Sequence, residues 1–465
     1  LRSYFEGVSK GQPDEYRTTF AKGASPSSVL NDWKEHLLSI KSRWPSLWDF
    51  EMDLAAKVGP LSIQAPLSER LEDIDHYYED ITIPSEPISD KAVSATIKEF
   101  APVRGLRVRS QRRTIELMKK STNSGSPYFT KRRLVTDKTR YCHVTPHGDT
   151  VIQILGSSAP NLMDGRAWNA CAVLGWRGQE GGPSRSDVKQ RVVWMFPYSV
   201  NIRELQVYQP LIESCQKFNL VPAWVSMDAV DINITKMFDT KDAKDVVICT
   251  DFSKFDQHFN DKMQLCAQNI LAAILTNDTE SISWLNYVFP IKYMIPLAYD
   301  WDKIRFGKHG MGSGSGGTNA DETVAHRALQ YEAALNNSSK LNPNSQCLGD
   351  DGVLTYPGIT VEDVIRSYTA HGLEMNSSKQ YVSTQDCVYL RRWHHKDYRQ
   401  NGVCVGVYST CRALGRLMEQ ERFYDPDVWS AKMVALRQLS IIENVKFHPL
   451  RDQFAEFCMK RDKYR

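Results

Sequence analysis

Long hydrophobic runs are missing from this 465-residue sequence. No segment approaches the run of about 18 apolar residues that crosses a bilayer, so we expect no membrane-spanning segment. No basic stretch followed by an apolar one opens the sequence, so we also expect no retained signal peptide. The first residue is Leu1, and we therefore expect the natural start to lie upstream.

Motifs for cysteine pairing or zinc binding are absent as well. The ten cysteines are scattered without a C-x-x-C pair, and no Cys/His cluster has the spacing of a zinc site. Glycine and proline number only 26 and 21, and no repeat or low-complexity tract is present. These absences exclude a disulfide scaffold, a zinc module and a fibrous chain. What is left is a globular chain, 42% hydrophobic and 24% charged, with reduced thiols and length for about three domains.

Charge is distributed unevenly, although the net charge is only +3. Residues 51–90 carry ten acids and two bases, and residues 101–140 carry twelve bases and two acids. The basic stretch, which includes Tyr128 and Phe129 and is followed by Tyr141, is typical of a surface that neutralises a phosphate backbone. A solvated face paired with the acidic stretch is equally open. The candidate RNA-binding residues are Arg104, Arg107, Arg109, Arg112, Arg113, Arg132 and Arg133.

Carboxylates follow apolar runs at two places. Val246–Thr250 predicts a buried strand that ends at Asp251, and Asp350 and Asp351 lie in a Gly-Asp-Asp-Gly segment typical of a tight hairpin, with the Asp-Gly pair suited to positive φ. Mg²⁺ prefers hard oxygen ligands, and two such ions about 3.5–4 Å apart support in-line displacement at phosphorus. The set predicts a divalent-metal site, although a plain turn and a helix-capping Asp fit each motif taken alone.

A glycine-rich loop, Gly-Met-Gly-Ser-Gly-Ser-Gly-Gly-Thr, occupies residues 310–318 and is expected to lead into a long helix. It matches G-x-G-x-x-G in form, but no buried strand is expected before it and no lysine precedes its closing threonine. Asp321 and Glu322 would repel a phosphate at the helix N-terminus. We therefore expect the loop to contact hydroxyls and bases. A flexible connection with an Asn319–Glu322 capping box is the alternative.

The remaining periodic segments predict helices and one further strand. Helical spacing covers residues 25–50, 65–80, 261–276, 319–336, 361–371 and the region from 409 onward, and a strand is expected over 388–393. Two other classes of protein stay open at this point. A nucleotide-cofactor enzyme requires a parallel strand before the glycine loop. A non-catalytic RNA-binding or capsid protein requires the basic stretch without the carboxylates.

In their order along the chain, these segments resemble motifs A, B and C of viral RNA-dependent RNA polymerases. The three are Asp251-x₄-Asp256, Ser313-Gly314-x₃-Thr318 and Gly349-Asp350-Asp351. Asp251 and Ser313 are 62 residues apart, and Ser313 and Asp350 are 37 residues apart. Residues 372–379, 389–393 and 189–197 are similar to motif D, the motif E strand and motif F. The resemblance is to the picobirnavirus and partitivirus type, from double-stranded RNA viruses.

This resemblance implies an α+β, right-hand polymerase fold with an antiparallel-sheet palm and a helical thumb. The implied domains are fingers at 1–202 (with the basic segment 101–140 and motif F at 185–197), palm at 203–272 and 312–396, a fingers return segment at 273–311 and thumb at 397–465.

The resemblance also implies template-directed nucleotidyl transfer with two Mg²⁺ ions, Mn²⁺ being a substitute. Asp251, Asp350 and Asp351 would be catalytic and hold the metal, Lys379 would be the general acid, and Asp256 would read the ribose 2′-hydroxyl. The other implied nucleotide-binding residues are Lys189, Arg191, Ser313, Gly314 and Thr318.

The implied partners are an RNA template and nascent strand, ribonucleoside triphosphates and a viral capsid protein. The expected location is the virion interior and the host cytoplasm. One position departs from the family pattern, which often has Asn where this chain has Glu322, with Asp321 beside it. The partner of Asp256 is therefore left open between these two acids.

Overall fold

The computed structural model of the protein describes residues 2–140, 143–147, 151–155, 171–425 and 427–462, with the backbone alone for the second and third ranges. Within them, no helix is long and apolar enough to cross a membrane. Tyr141 lies outside the described residues. The chain divides into two compact units: Leu1–Ser9, Arg70–Gly175 and Val192–Thr384 form the first, and Lys10–Glu69, Trp176–Arg191 and Gln385–Arg465 form the second.

Helices make up most of the regular structure. They are α1 (Arg2–Lys10), α2 (Pro26–Lys41), α3 (Pro45–Ala55), α4 (Leu71–Glu79), α5 (Asp90–Glu99), α6 (Gln111–Leu117), α7 (Arg132–Arg140), α8 (Tyr198–Lys217), α9 (Pro222–Val225), α10 (Met227–Thr240), α11 (Phe255–His258), α12 (Asp261–Ile274), α13 (Thr279–Tyr287), α14 (Thr318–Asn336), α15 (Val361–Thr369), α16 (Thr410–Met418), α17 (Ala431–Glu443) and α18 (Arg451–Met459).

The strands are short and mostly antiparallel. They are β1 (Tyr16–Arg17), β2 (His143–His147), β3 (Val151–Leu155), β4 (Ala172–Gln179), β5 (Lys189–Met195), β6 (Val247–Thr250), β7 (Leu297–Asp300), β8 (Lys303–Arg305), β9 (Gln346–Leu348), β10 (Asp351–Leu354), β11 (Tyr381–Ser383), β12 (Asp386–Tyr389), β13 (Arg392–His395), β14 (Val407–Tyr408) and β15 (Glu419–Gln420). The sheet orders are β11-β6-β10-β9, β5-β4-β7-β8 and β12-β13-β14, with β1-β15 and β2-β3 as two-stranded ribbons.

The sheet β11-β6-β10-β9 lies in the first unit and is antiparallel throughout. Every residue of β6 is buried, as its continuous apolar run predicts. The predicted hairpin is formed by β9 and β10, which pair with Leu348 opposite Asp351. The core of this unit joins apolar residues of α12 and α14 to those of β6 and β10.

Helix α14 is buried over most of its length and packs against α5, α12, α15 and β9. A helix enclosed on several sides must satisfy its polar side chains internally. Arg327 accordingly donates to Glu99 and to the carbonyl of Ser345, and Gln330 donates to the carbonyl of Gln346. These contacts fix the register of the helix against the β9–β10 hairpin.

The second unit has its own core, in which Trp33, Trp393 and Phe454 are fully buried. Glu51 is buried at its centre and accepts hydrogen bonds from the Thr410 and Cys411 amides. Burial alone would raise the pKa of Glu51, but its contact with His448 and these amides holds the pKa below its ordinary value. The buried carboxylate thus fixes the start of α16.

Two local predictions and one alternative reading are wrong. The strand expected over 388–393 is a hairpin, because Leu390 and Arg391 both have positive φ and form the two-residue turn between β12 and β13. A type I′ turn usually carries Asn-Gly, so its signal is missing from the sequence. The Asn319–Glu322 capping box is not formed, because α14 begins at Thr318 and the Asn319 amide oxygen accepts from Trp224.

The third concerns the Gly-Asp-Asp-Gly turn. Its positive φ falls on Gly349, at 58°, and not in the Asp351–Gly352 pair, which begins β10. Gly349 and Asp350 are therefore the two turn residues, with glycine first as type II′ geometry requires.

Candidate active site

Two paired strands bring the residues predicted to bind metal to the same end of one sheet. Thr250 of β6 lies opposite Gly352 of β10 in an antiparallel register. The next pair in this register is Asp251 and Asp351, and cross-strand neighbours have Cα atoms about 4.5–5.5 Å apart. Asp350 precedes Asp351 at the hairpin turn. Residues about a hundred positions apart in the sequence therefore lie at the same end of one sheet.

The backbone around these carboxylates is held by side chains. The Asp251 amide donates to Gln380 Oε1 over 2.8 Å, and Gln380 Nε2 donates back to the Asp251 carbonyl over 2.9 Å. The Gly349 amide donates to Thr323 Oγ1 over 2.9 Å, and His326 Nδ1 lies 2.9 Å from the Gly349 carbonyl. The backbone N–H and C=O groups of Asp251 and of Gly349 are thus all hydrogen-bonded to side chains.

Asp256, at the start of α11, is paired with Glu322 and not with Asp321. Glu322 is buried, and a hydrogen bond to Asp256 is among the causes that raise its pKa. Burial raises the pKa of Glu322 well above its ordinary value, and the negative charges of Asp256, Asp350 and Asp321 raise it further. Two carboxyl groups can hydrogen-bond to each other only if one holds a proton. The question left open by the sequence is answered in favour of Glu322.

Asp321 is compensated by a separate set of groups. Lys292 Nζ lies 3.0 Å from its carboxylate, and both side chains are fully buried. The hydroxyls of Tyr208 and Tyr293 donate to the two carboxylate oxygens, each over 2.7 Å. Burial, and next the charge of Asp321, raise the pKa of both tyrosines, which keeps them neutral donors. Asp321 is therefore a structural anion.

The glycine-rich loop is tightly enclosed, whereas the alternative interpretation predicted a flexible connection. A Cβ atom on Gly314 would lie 1.6 Å from the carbonyl oxygen of Trp194, so only glycine fits there. Ser313 donates to the carbonyl of Val192, and Thr318 donates to the carbonyl of Gly312. The hydroxyls predicted to line the nucleotide pocket thus also fix the loop.

A buried carboxylate supports the loop from α8. The Gly316 amide donates to Glu204 Oε1 over 3.1 Å, and the Ser315 hydroxyl donates to its other oxygen. Burial raises the pKa of Glu204, while the charge of Lys292 and the loop donors oppose that rise. Glu204 therefore anchors the centre of the loop.

The remaining predicted site residues lie on the surface. Lys379 is exposed in the 3₁₀ turn Ser377–Lys379, directly before Gln380. Lys189 and Arg191 are exposed on β5, in the part of the chain that belongs to the second unit. Their roles in nucleotide binding stay predictions.

The basic segment divides into exposed and engaged arginines. Arg104, Arg107 and Arg133 are exposed. Arg109 forms an ion pair with Glu213, and Arg132 donates to Asn201 and lies over the Tyr198 ring. Arg112 and Arg113 are exposed but lie near Glu116. The acids named here lie outside residues 51–90, so at these positions the solvated-face reading does not pair the basic segment with that acidic stretch.

The site's donors suit a divalent cation. In the ranges the structure covers, no group of three or more His, Cys, Asp or Glu side chains is arranged to hold a metal ion as it stands. Mg²⁺, however, usually takes one or two carboxylates together with substrate phosphates and waters. The rise in the pKa of Glu322, driven after burial by three carboxylates, shows accumulated negative charge at this end of the sheet. A divalent cation would relieve that charge.

The dinucleotide-binding alternative fails on the strand order. The strand that precedes the glycine loop, β8, pairs antiparallel with β7, so the βαβ unit of a dinucleotide site is not formed here. With the sheet, the carboxylates and the glycine loop, the molecule has the parts of a right-hand polymerase.

Comparison with known proteins agrees. The chain belongs to the family of viral RNA-dependent RNA polymerases, whose model matches residues 60–419. Polymerases of this family generally use divalent metal ions.

The relatives are picobirnavirus proteins. The chain is 62% identical, over its whole length and 85% of the relative's, to the potential RNA-dependent RNA polymerase of a human picobirnavirus (strain Human/Thailand/Hy005102/-). It matches the crystal structure of the RNA-dependent RNA polymerase of a human picobirnavirus with a TM-score of 0.96 and 61% identity, covering 100% of this chain and 87% of that one. It also matches the crystal structure of an insertion-loop deletion mutant of a human picobirnavirus RNA-dependent RNA polymerase. The TM-score is 0.96 and the identity is 62%, and the match covers 100% of this chain and 90% of that one. The predicted fold class and family are confirmed.

Sequence reasoning did not single out the side chains that hold the site. Lys292, Glu204, Thr323, His326 and Gln380 carry no motif, because their partners are distant in sequence. The helix α14 has polar residues on every face, yet it is buried over most of its length. Polar side chains in a buried helix need internal partners, and for Thr323 and His326 that partner is the Gly349 backbone.

Proposed function

We propose that the protein replicates and transcribes a viral RNA genome by two-metal, template-directed nucleotidyl transfer. The observation that carries this proposal is the β6–β10 register, which sets Asp251 beside Asp351 with Asp350 at the adjoining turn. In the reaction, a 3′-hydroxyl oxygen attacks the α-phosphorus of a ribonucleoside triphosphate. The bond to pyrophosphate breaks as the new phosphodiester bond forms.

Asp251 and Asp350 would hold two Mg²⁺ ions, with Asp351 nearby and Mn²⁺ as a substitute. When bound, such ions lower the pKa of the attacking hydroxyl and neutralise charge on the leaving pyrophosphate. The protein's part is to keep the carboxylates at fixed positions, since phosphoryl transfer depends mainly on positioning and electrostatics.

Asp256 and Glu322 would read the sugar. Their shared proton leaves carboxyl oxygens able to accept a hydrogen bond from a ribose 2′-hydroxyl, the group that deoxyribonucleotides lack. The backbone carbonyl of Asp256 also accepts a hydrogen bond from the Met311 amide over 2.9 Å, which ties its backbone to the glycine loop. Ser313, Gly314 and Thr318 of that loop would shape the nucleotide pocket.

Charged residues would handle the phosphates. Lys189 and Arg191 would bind the triphosphate, for which the arginine fork is suited. Lys379 would give a proton to the departing pyrophosphate. The exposed arginines of the basic segment would contact the RNA backbone. A viral capsid protein would be a further partner, and the polymerase would work in the virion interior and the host cytoplasm.

The test is incorporation of labelled nucleotides on a short RNA template with and without Mg²⁺. We expect activity only with the metal, a preference for ribonucleotides, and no activity in Asp350→Ala. Incorporation that persists in EDTA, or in Asp350→Ala, contradicts the proposed function. Binding of the template by filter retention serves as the control, since it does not require the carboxylate.

A further inference from the structure

Three side chains outside the family motifs hold the peptide groups that carry the catalytic carboxylates. We propose that Thr323, His326 and Gln380 are positioning residues, which set the separation of Asp251 from Asp350 and Asp351. This inference rests on the proposed function, because it assigns the residues to the geometry of the same reaction.

The first contact is at the hairpin turn. Thr323 Oγ1 accepts from the Gly349 amide and His326 Nδ1 donates to the Gly349 carbonyl, both over 2.9 Å. A carbonyl oxygen can only accept, so Nδ1 carries the proton. Thr323 and His326 are three residues apart and therefore share one face of α14. A single helix face thus holds both backbone hydrogen-bonding groups of Gly349, the residue that precedes Asp350.

The second contact is on the other side of the two aspartates. A Cβ atom on Gly352 would lie 2.7 Å from His326 Cε1 and 3.0 Å from Thr250 Oγ1, so the backbone of Gly352 lies directly against the imidazole. The ring therefore touches the chain both before Asp350 and after Asp351. Its Nε2 is buried and has no hydrogen-bond partner among the described residues. The ring's one hydrogen bond is the one to the turn.

The third contact is on the neighbouring strand. The Gln380 side-chain amide exchanges two hydrogen bonds with the Asp251 backbone, as another strand would, and also donates to the Asn376 carbonyl over 2.9 Å. The strand register alone sets Asp251 near Asp351. Gln380 adds a fixed orientation at the residue where β6 has already ended.

The same helix also begins at the glycine loop. Thr318 starts α14 and donates to the Gly312 carbonyl, and Thr323 follows within two turns. Movement of the loop around a nucleotide would therefore be transmitted to the Gly349 turn by a rigid element. Catalytic groups must be held within about 0.5 Å, and a misplacement of about 1 Å can cost roughly a hundredfold in rate.

The experiment compares variants that remove a hydrogen bond with variants that keep it. Thr323→Val removes the acceptor at nearly constant shape, and Thr323→Ser restores it. His326→Leu removes the donor, and His326→Asn keeps a side-chain N–H near the place of Nδ1. The matched control is Thr96→Val, because Thr96 is a buried threonine of the same unit whose hydroxyl donates to the Ala92 carbonyl over 3.0 Å, away from the site.

Two readouts separate positioning from stability. We expect Thr323→Val and His326→Leu to slow single-turnover incorporation by about 10–100-fold with the KM for the nucleotide nearly unchanged. We expect both to weaken Mn²⁺ binding to the enzyme–RNA complex, followed by electron paramagnetic resonance, while their thermal midpoints fall no further than that of Thr96→Val. The serine and asparagine variants should recover most of the rate.

The proposal is overturned if Thr323→Val binds Mn²⁺ and incorporates nucleotides as the unsubstituted protein does, or if Thr96→Val loses as much activity. It is also overturned if Thr323→Ser fails to recover the rate. Should His326→Leu fail to fold, Thr323→Val alone decides the outcome. Failure of the proposed function itself is distinguishable, since Asp350→Ala would then remain active.

Discussion

The two acids at positions 321 and 322 lead into opposite environments, although they are neighbours in the first turns of α14. Asp321 faces a closed region where Lys292, Tyr208 and Tyr293 supply a cation and two hydroxyl donors. Glu322 is buried near the end of the sheet, where the charges that act on it come from Asp256 and other carboxylates.

The difference separates structural charge from functional charge. A buried anion that serves the fold is compensated by the protein itself, because leaving it unpaired costs several kcal/mol. Several carboxylates gathered at one place raise one another's pKa and attract a cation from outside the protein. Glu204 belongs to the first kind, since the loop it anchors supplies its donors.

The largest expected effect concerns the carboxylates at the end of the sheet. Asp350→Ala removes a carboxylate that would bind metal, and we expect incorporation to fall by a factor on the order of 10³ or more. RNA affinity should remain nearly intact, because the aspartate serves the metal and not the phosphate backbone. Measured turnover in a primer-extension assay, alongside filter binding, gives both values. Turnover within tenfold of the unsubstituted protein contradicts the comparison.

The next effect concerns the buried pair of Asp321 and Lys292. Asp321→Asn leaves Lys292 charged and buried without its anion, which should lower the free energy of unfolding by about 3–5 kcal/mol. Thermal unfolding measures the loss as a lower midpoint. Asp256→Asn is the matched control, because replacing an acid among the carboxylates at the end of the sheet should cost little stability. Equal stability of Asp321→Asn and the unsubstituted protein rejects the structural role of Asp321.

A smaller effect tests the role of Asp256, which is paired with Glu322. Asp256→Ala should lower the preference for ribonucleotides over deoxyribonucleotides by about 10–100-fold, since a site built around a hydroxyl discriminates through that hydrogen bond. The ratio of kcat/KM for the two sugars measures this. An unchanged ratio shows that another group reads the 2′-hydroxyl.

The pH dependence of stability tests Glu322. Its pKa is raised in the fold, so above its ordinary pKa near 4.5 the folded state holds a proton that the unfolded state releases. Stability should therefore fall as pH rises through that window, by at most about 1.4 kcal/mol per pH unit. In metal-free buffer, Glu322→Gln should remove this slope because the amide does not titrate. A slope that persists in the variant assigns it to other groups.

The smallest effect concerns the exposed arginines. Reversing the charges of Arg104 and Arg107 should weaken RNA binding several-fold at low salt and less at high salt, because released counterions drive such contacts. Reversal of Arg109, which pairs with Glu213, is the comparison within the segment and should also disturb the fold. Equal losses at both salt concentrations show that the stretch is structural.

Local physical signals predicted much of this arrangement. The apolar run before Asp251, the hairpin around Asp350 and the long helix after the glycine loop depend on neighbouring residues, and the structure confirms each. The turn at Leu390 and Arg391 was missed because those residues carry no turn signal. The Lys292–Asp321 pair and the Gln380 clamp were missed because their partners are set by tertiary packing, which no local pattern encodes.

The central claim is that Asp251 and Asp350 share divalent cations. The most direct measurement is anomalous diffraction from crystals of the enzyme with RNA, a non-hydrolysable ribonucleoside triphosphate and Mn²⁺. We expect two Mn²⁺ peaks about 3.5–4 Å apart, bridged by carboxylate oxygens of Asp251 and Asp350. Peaks elsewhere, with these carboxylates beyond the reach of a common ion, would contradict the account.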